Sequence, residues 1–258
     1  VTDEVHPDVA EAATLAARVV GLDIAGIDIV AEDISRPLEE QRGAIVEVNA
    51  GPGLLMHLKP AKGKPRPVGQ AIVDSLFPAG DKGRIPIVGI AGSKGTSLTA
   101  RLMSWLLQLT GKHVGLSCRD GLFLDKRMVD KRDCANWAAG QRLLINRSVD
   151  AAVFENGAAM ILGEGIAYDR CQVGIVTDAE GAESLADFDI HNAEQLYHVL
   201  RTQVDIVLPE GAAVLNAADP LVARMAELCD GDVIFYGLTQ DLPAIAAISD
   251  TALTRDVG

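Results

Sequence analysis

Aromatic side chains are scarce in this chain: Phe, Trp and Tyr make up 4% of its 258 residues. Small and branched aliphatics (Ala, Val, Ile, Leu) and Gly dominate instead. That balance argues against a β-sandwich and for α/β layers built on parallel strands. Basic residues are also short, with 23 Lys and Arg against 36 Asp and Glu and a formal net charge of -13. Such a surface excludes nucleic acid and anionic membrane as general partners. It would draw basic substrates, although surplus acid also serves solubility. The four cysteines, Cys118, Cys134, Cys171 and Cys229, include no C-x-x-C pair. That excludes a zinc ribbon and a dithiol redox motif, and it reads as buried thiols in a reducing compartment. No apolar run is long enough to span a membrane, and no signal peptide is legible, so a cytoplasmic location is expected. An initiator Met is missing too. The start Val1-Thr-Asp-Glu reads as a piece of a longer polypeptide.

What is there falls into two rhythms. Pro7 to Val20 is amphipathic and Ala-rich, and Gly21 stops it, which predicts a helix. Ile24 to Val30 and Ala44 to Asn49 read as strands separated by a polar connection. Met56 to Arg66 is rich in Lys, Gly and Pro and cannot be regular for long; Val68 to Leu76 reads as a short helix ending at Phe77-Pro78. Ala79-Gly-Asp-Lys-Gly83 reads as a linker, dividing the chain into 1–83 and 84–258. Beyond it, strands and helices alternate. Strands are expected at Ile85–Val88, His113–Leu116, Ala151–Phe154, Val173–Val176, Asp205–Leu208, Ala213–Asn216 and Val233–Tyr236. Helices are expected at Leu98–Leu109, Ala135–Asn146, Ala193–Gln203 and Pro220–Cys229. Repeated βα units imply a mainly parallel sheet covered on both faces.

Two clusters carry chemistry. In the first, Glu47 and Asn49 lie two apart on one expected strand and so share a face, with Asp28 near the end of the preceding strand. Two carboxylates and an amide oxygen suit a hard cation such as Mg²⁺; spacing alone favours a plain polar sheet face. The second is Gly89-Ile-Ala-Gly-Ser-Lys-Gly-Thr-Ser97, between an apolar run and a helix. It approximates G-x-x-x-x-G-K-[ST], in which backbone N–H groups cradle phosphate, Lys neutralises it and the last hydroxyl binds Mg²⁺. Gly89, Gly92, Ser93, Lys94, Gly95, Thr96 and Ser97 are therefore candidate nucleotide-binding residues. Thr96, however, holds the lysine slot.

Several blocks together resemble one family. Glu47-Val-Asn-Ala-Gly-Pro-Gly53 with Asp28 upstream looks like the metal-binding end of an ATP-grasp ligase. Thr2 to Pro7, Gly21 to Asp28, Glu47 to His57 and Leu76-Phe-Pro78 resemble the cyanophycin synthetases, in the same order. The resemblance implies the carboxyl-terminal part of an ATP-grasp domain followed by a Mur ligase-like domain. It implies ATP and Mg²⁺ as cofactors, with Asp28, Glu47 and Asn49 as metal ligands. An acyl phosphate would form on a carboxylate and an amine would attack it, giving an amide. His57 and Arg66 fall in matching blocks; Leu55 departs from the family's usual Arg. The adenine-clamping part of such a domain would lie upstream, so residues 1–78 hold one wall of a site.

The Mur-like half departs further. Gly92-Ser-Lys-Gly-Thr-Ser97 aligns with G-T-N-G-K-T without its Lys; Lys94 lies two residues earlier. Glu155, in Ala152 to Met160, aligns with a metal-binding Glu, but Ala158-Ala-Met160 replaces Arg-Gly-Gly. Glu183-Ser184 stands where the family has Asp-His, while Val214 to Val222 matches well. Losing a cation at a γ-phosphate typically costs ~100-fold or more in rate, so three such changes predict a module without ATP-driven chemistry. In the family, one module extends polyaspartate and the other attaches arginine. The expected substrates are therefore ATP with an amino acid or a ready-made aspartyl-arginine dipeptide, in a homo-oligomer. Two alternatives stand beside this: a purely structural or oligomerisation module, and a bifunctional synthetase with Lys94 in the lost lysine's role.

Overall fold

Proline in the first turn and glycine after the last define helix α1, Pro7–Val20. His6 caps it by accepting from the Asp8 N–H at 3.2 Å, and Gly21, at φ 82°, turns its own N–H back to the Ala17 and Arg18 carbonyls. The computed structural model describes residues 2–77, 79–239 and 241–246. Val1, Pro78, Gln240 and the tail beyond residue 246 lie outside them. The chain divides into two units, residues 1–84 and 85–258.

The first unit contains α1, strands β1 (Gly26–Val30) and β2 (Ala44–Asn49), and helices α2 (Leu55–Leu58) and α3 (Val68–Leu76). β1 and β2 are antiparallel and pair Asp28 directly with Glu47; the register shifts after Asp28. Regular structure stays short over Met56 to Arg66, as its composition implies. A single helical turn, α2, closes there, because the apolar run Leu54-Leu-Met56 precedes the Lys/Gly/Pro stretch that cannot continue it.

The second unit is an eight-stranded sheet. In chain order it comprises β3 (Ile87–Ala91), α4 (Thr96–Gln108), β4 (Val114–Cys118), β5 (Gly121–Leu124), β6 (Arg127–Asp130) and α5 (Trp137–Leu144). Then follow β7 (Ala151–Asn156), α6 (Ala158–Gly163), β8 (Cys171–Val176), α7 (Ala193–Leu200), α8 (Thr202–Asp205), β9 (Val207–Asn216), α9 (Pro220–Arg224) and β10 (Asp232–Tyr236). The strand order is β10-β9-β8-β3-β7-β4-β5-β6. The first six are parallel, and β5 and β6 add an antiparallel edge to β4. The fold is thus α/β with a mainly parallel sheet, as composition and alternation imply.

Burial on both faces explains why the strands lack a polar alternation. Val88, Ile90, Val114, Leu116, Val153 and Ile175 pack with Ala100 of α4 on one side. Ile87, Ala152, Phe154 and Val207 pack with Leu143 of α5 on the other. A third cluster gathers α7, α8 and α9 over Val176 and Leu215. Two expected strands, Asp205–Leu208 and Ala213–Asn216, are one strand, β9. Its pairing with β8 shifts between Cys171 and Val173, so the Pro209-Glu-Gly211 stretch is absorbed as a bulge. Helices expected to run to Gln203 and Cys229 are each broken, at Leu200 and Arg224. Cys118, Cys134 and Cys171 are buried and Cys229 is half-buried, all as free thiols. Burial pushes the Cys118 thiol up to about 11.

Candidate functional site

The carboxyl ends of the parallel strands gather four segments into one cleft. From β3 comes the glycine loop 92–95, from β4 Arg119, from β7 Glu155 to Gly157, and from β8 the segment Thr177–Gly181. The chain leaves β3 towards β4 on one side, while β8 lies on the other. In open α/β sheets, ligands bind where such paths diverge. The cleft encloses roughly 420 Å³ and is lined by Gly92, Ser93, Arg119, Gly157, Met160 and Glu180 among others.

The loop has a phosphate-cradle backbone. Gly92 (φ 135°) and Gly95 (φ 69°) are in conformations that side-chain-bearing residues avoid, and a Cβ on Gly92 would overlap the Thr177 hydroxyl. Gly95 caps α4 without a side chain, and Thr96 and Ser97 open the helix. Gly89 lies elsewhere. It is inside β3, where its bare face admits the Tyr168 hydroxyl and the Gln203 amide. Those two groups form a buried network with Asn156, whose amide donates to Tyr168 Oη at 2.8 Å and Gln203 Oε1 at 2.7 Å. Gly89 is thus a close-packing glycine rather than a loop residue.

Glu155, near the carboxyl end of β7, is buried. Its Oε1 accepts from Thr96 Oγ1 at 2.7 Å, Ser97 Oγ at 2.9 Å and Arg119 Nε at 2.8 Å. Its Oε2 accepts from Ser97 Oγ and the Arg119 backbone N–H, both at 2.8 Å. Arg119 Nη2 also donates to Thr96 Oγ1 at 3.0 Å. Burial alone would raise the Glu155 carboxyl, but these donors outweigh it and hold it below the ordinary range. Both oxygens are fully engaged, so this carboxylate does not fit a metal ion. A cation would have to displace the Arg119 guanidinium.

The loop's own donors are engaged as well. Asp178, after β8, accepts from the Ser93 N–H at 3.1 Å, Ser93 Oγ at 2.6 Å and the Lys94 N–H at 3.0 Å. Thr177 Oγ1 and the Glu180 N–H donate to it at 2.8 and 3.2 Å. Burial pushes the Asp178 carboxyl up, and the surrounding donors bring it below its ordinary value. Lys94 Nζ is ion-paired with Glu180. Its ammonium therefore points to the β8 segment rather than to Glu155.

In the first unit, Asp28 and Glu47 are cross-strand partners on an exposed face. Asn49 Nδ2 approaches Asp28 Oδ2 at 3.4 Å. An oxygen-only donor set with open carboxylates fits Mg²⁺. Among the described residues no group of three or more His, Cys, Asp and Glu is placed to hold a metal. Arg66 Nη2 pairs with Asp3 Oδ1 at 2.6 Å, and His57 sits exposed in α2. Sequence reasoning missed Arg119 and Asp178. A signal for both existed: each directly or nearly follows the carboxyl end of an expected parallel strand.

No family model matches the chain. It is 41% identical over 244 residues to a cyanophycin synthetase from Synechocystis sp., and 41% identical over 245 residues to one from Geminocystis herdmanii. Each match covers 95% of this chain and 28% of the relative. A glutathione biosynthesis bifunctional protein from Clostridium perfringens is 37% identical over 76 residues, 30% of this chain. Among solved structures, a UDP-N-acetylmuramoyl-L-alanyl-D-glutamate–2,6-diaminopimelate ligase superposes with a TM-score of 0.51 at 14% identity, covering 61% of this chain and 33% of that one. That likeness places the fold among Mur ligases. The chain is a homologue of the cyanophycin synthetases along nearly all of its own length, and it spans little more than a quarter of theirs.

Proposed function

We propose that this chain is part of an ATP-dependent ligase that joins a carboxylate to an amine, and that its Mur ligase-like unit supports the enzyme without running a second phosphoryl transfer. One observation carries the reading. Thr96, Ser97 and Arg119 close around both oxygens of Glu155. Where a nucleotide site needs a free cation and an open carboxylate, this one has a neutral hydroxyl and a closed ion pair. Phosphoryl transfer depends on such fixed charges, because little covalent help is available to it.

Amide formation then falls to the ATP-grasp-like part. Asp28, Glu47 and Asn49 would hold Mg²⁺, whose charge offsets that of the phosphoryl group in transfer. Through that ion these side chains would position the triphosphate on the β1–β2 face. With the arginine-adding site silent, the substrates are ATP and a ready-made aspartyl-arginine dipeptide, joined in a homo-oligomeric enzyme. The test measures ATP consumption and polymer formation by the full-length protein. Turnover is expected with dipeptide and not with aspartate plus arginine. Efficient incorporation of free arginine would overturn the reading.

A further inference from the structure

We propose that Asp178 is a built-in anion that fills the phosphate cradle of the β3–α4 loop and keeps phosphate-bearing ligands out of it. Successive backbone N–H groups at Ser93 and Lys94, bent inward by Gly92, converge on this one carboxylate. Such nests take anionic oxygens because several fixed dipoles point at one spot. Here the oxygens belong to the chain itself. The Ser93 hydroxyl adds a third donor, at 2.6 Å.

The carboxylate is held from behind. The Thr177 N–H donates to the Ala91 carbonyl at 3.0 Å, and Asn216 Nδ2 donates to the Thr177 carbonyl at 2.8 Å. The Ala179 N–H donates to Asp219 Oδ2 at 2.8 Å, and Asp219 in turn caps α9. Asp178 is therefore flanked by anchors on both neighbouring residues. Gly181 lies against Ser93, so the β8 segment covers the loop it serves. Lys94, the loop's one cation, is drawn to Glu180 on the same segment.

An incoming phosphate meets two obstacles. It must break several charge-assisted hydrogen bonds, and it sets a second anion beside a buried carboxylate left with only the Thr177 hydroxyl and the Glu180 N–H. A tethered anion also competes without losing translational freedom, which a free ligand must give up. The latch goes beyond the ligase reading and does not depend on which amide the longer protein makes, so its failure would leave that reading standing.

The test combines amide hydrogen exchange with calorimetric titration by inorganic phosphate. In the unmodified chain, the Ser93 and Lys94 amides are expected to be protected and phosphate to bind weakly or not at all. In Asp178→Ala both amides lose protection. Phosphate then restores it, acetate does so more weakly, and phosphate affinity rises about tenfold or more. Asp178→Asn keeps an accepting oxygen without the charge and falls between the two. Equal phosphate affinity in the unmodified and Ala chains, bound or unbound, overturns the proposal. If the Ala variant does not fold, the unmodified chain decides: Ser93 and Lys94 amides exchanging as fast as exposed loop amides refute it.

Discussion

Thr96 puts a hydroxyl where phosphate loops carry an ammonium, and the arrangement around it shows what takes over the charge. Glu155 would be a buried carboxylate without a cation; Arg119 reaches it from the end of β4 at 2.8 Å. The Glu155 side chain is 1% exposed and that of Arg119 49%, so the pair is half-screened. Breaking a fully buried pair costs about 3–5 kcal/mol, and an exposed one is worth under about 1 kcal/mol. Arg119→Met is therefore expected to destabilise the chain by roughly 2 kcal/mol. Thr96→Lys alone should also destabilise, because the new ammonium meets the guanidinium now 3.0 Å from Thr96 Oγ1. Combined with Arg119→Met, the same lysine has an unpaired Glu155 to face. Urea denaturation of the four proteins should give a favourable coupling of about 1 kcal/mol or more between the two sites. Additive losses would mean that Arg119 does not stand in for the loop lysine.

Elements with strong local punctuation were legible, and those fixed by distant partners were not. The ends of α1, β2 and α3 follow from Pro7, Gly21, Gly43 and the break after Leu76. The hairpin β5–β6 escaped notice because its turn, Asp125-Lys126, carries no glycine. Asp125 takes the left-handed conformation itself, at φ 53°. Tertiary bonds support it there: its carboxylate accepts from the Val114 N–H at 2.8 Å and meets His113 Nδ1 at 2.9 Å. β9 reads as two strands because its Pro-Glu-Gly stretch has the composition of a turn, and only the pairing with β8 makes it a bulge. At the site, the glycine loop was legible from spacing, whereas its occupancy by Asp178 depends on two strands far apart in sequence being neighbours. The hairpin bears on pH. Its hydrogen bond to Asp125 raises the His113 pKa above the ordinary 6.5, with the Asp125 charge acting in the same direction. A raised folded-state pKa stabilises the fold fully below the unfolded value and is lost as pH rises through the folded one. NMR titration should therefore show His113 titrating above 6.5, and Asp125→Asn should bring it back. An unchanged titration in that variant would remove Asp125 as the cause.

The two units differ sharply in how much they bury. Among the described residues, Val9 is the one fully buried apolar side chain of residues 1–84, whereas residues 85–258 hold three buried clusters. A two-stranded sheet with a few helices rarely stands alone in water, while a sheet covered on both faces does. Burying a leucine- or valine-sized side chain contributes about 1.5–3 kcal/mol, so one such residue cannot offset the ordering of some eighty others. Among the described residues, the eight-stranded unit has about two dozen. Residues 85–258 expressed by themselves are thus expected to unfold in a single cooperative transition, with protected amides in β3, β7 and β8. Residues 1–84 by themselves should show little protection beyond α1, because one fully buried side chain does not make a core. Hydrogen exchange on the two pieces separates the outcomes. Strong protection across β1 and β2 in the isolated first piece would show that the Asp28–Glu47 face is a self-sufficient platform, and the metal-site reading would then be testable on 84 residues alone.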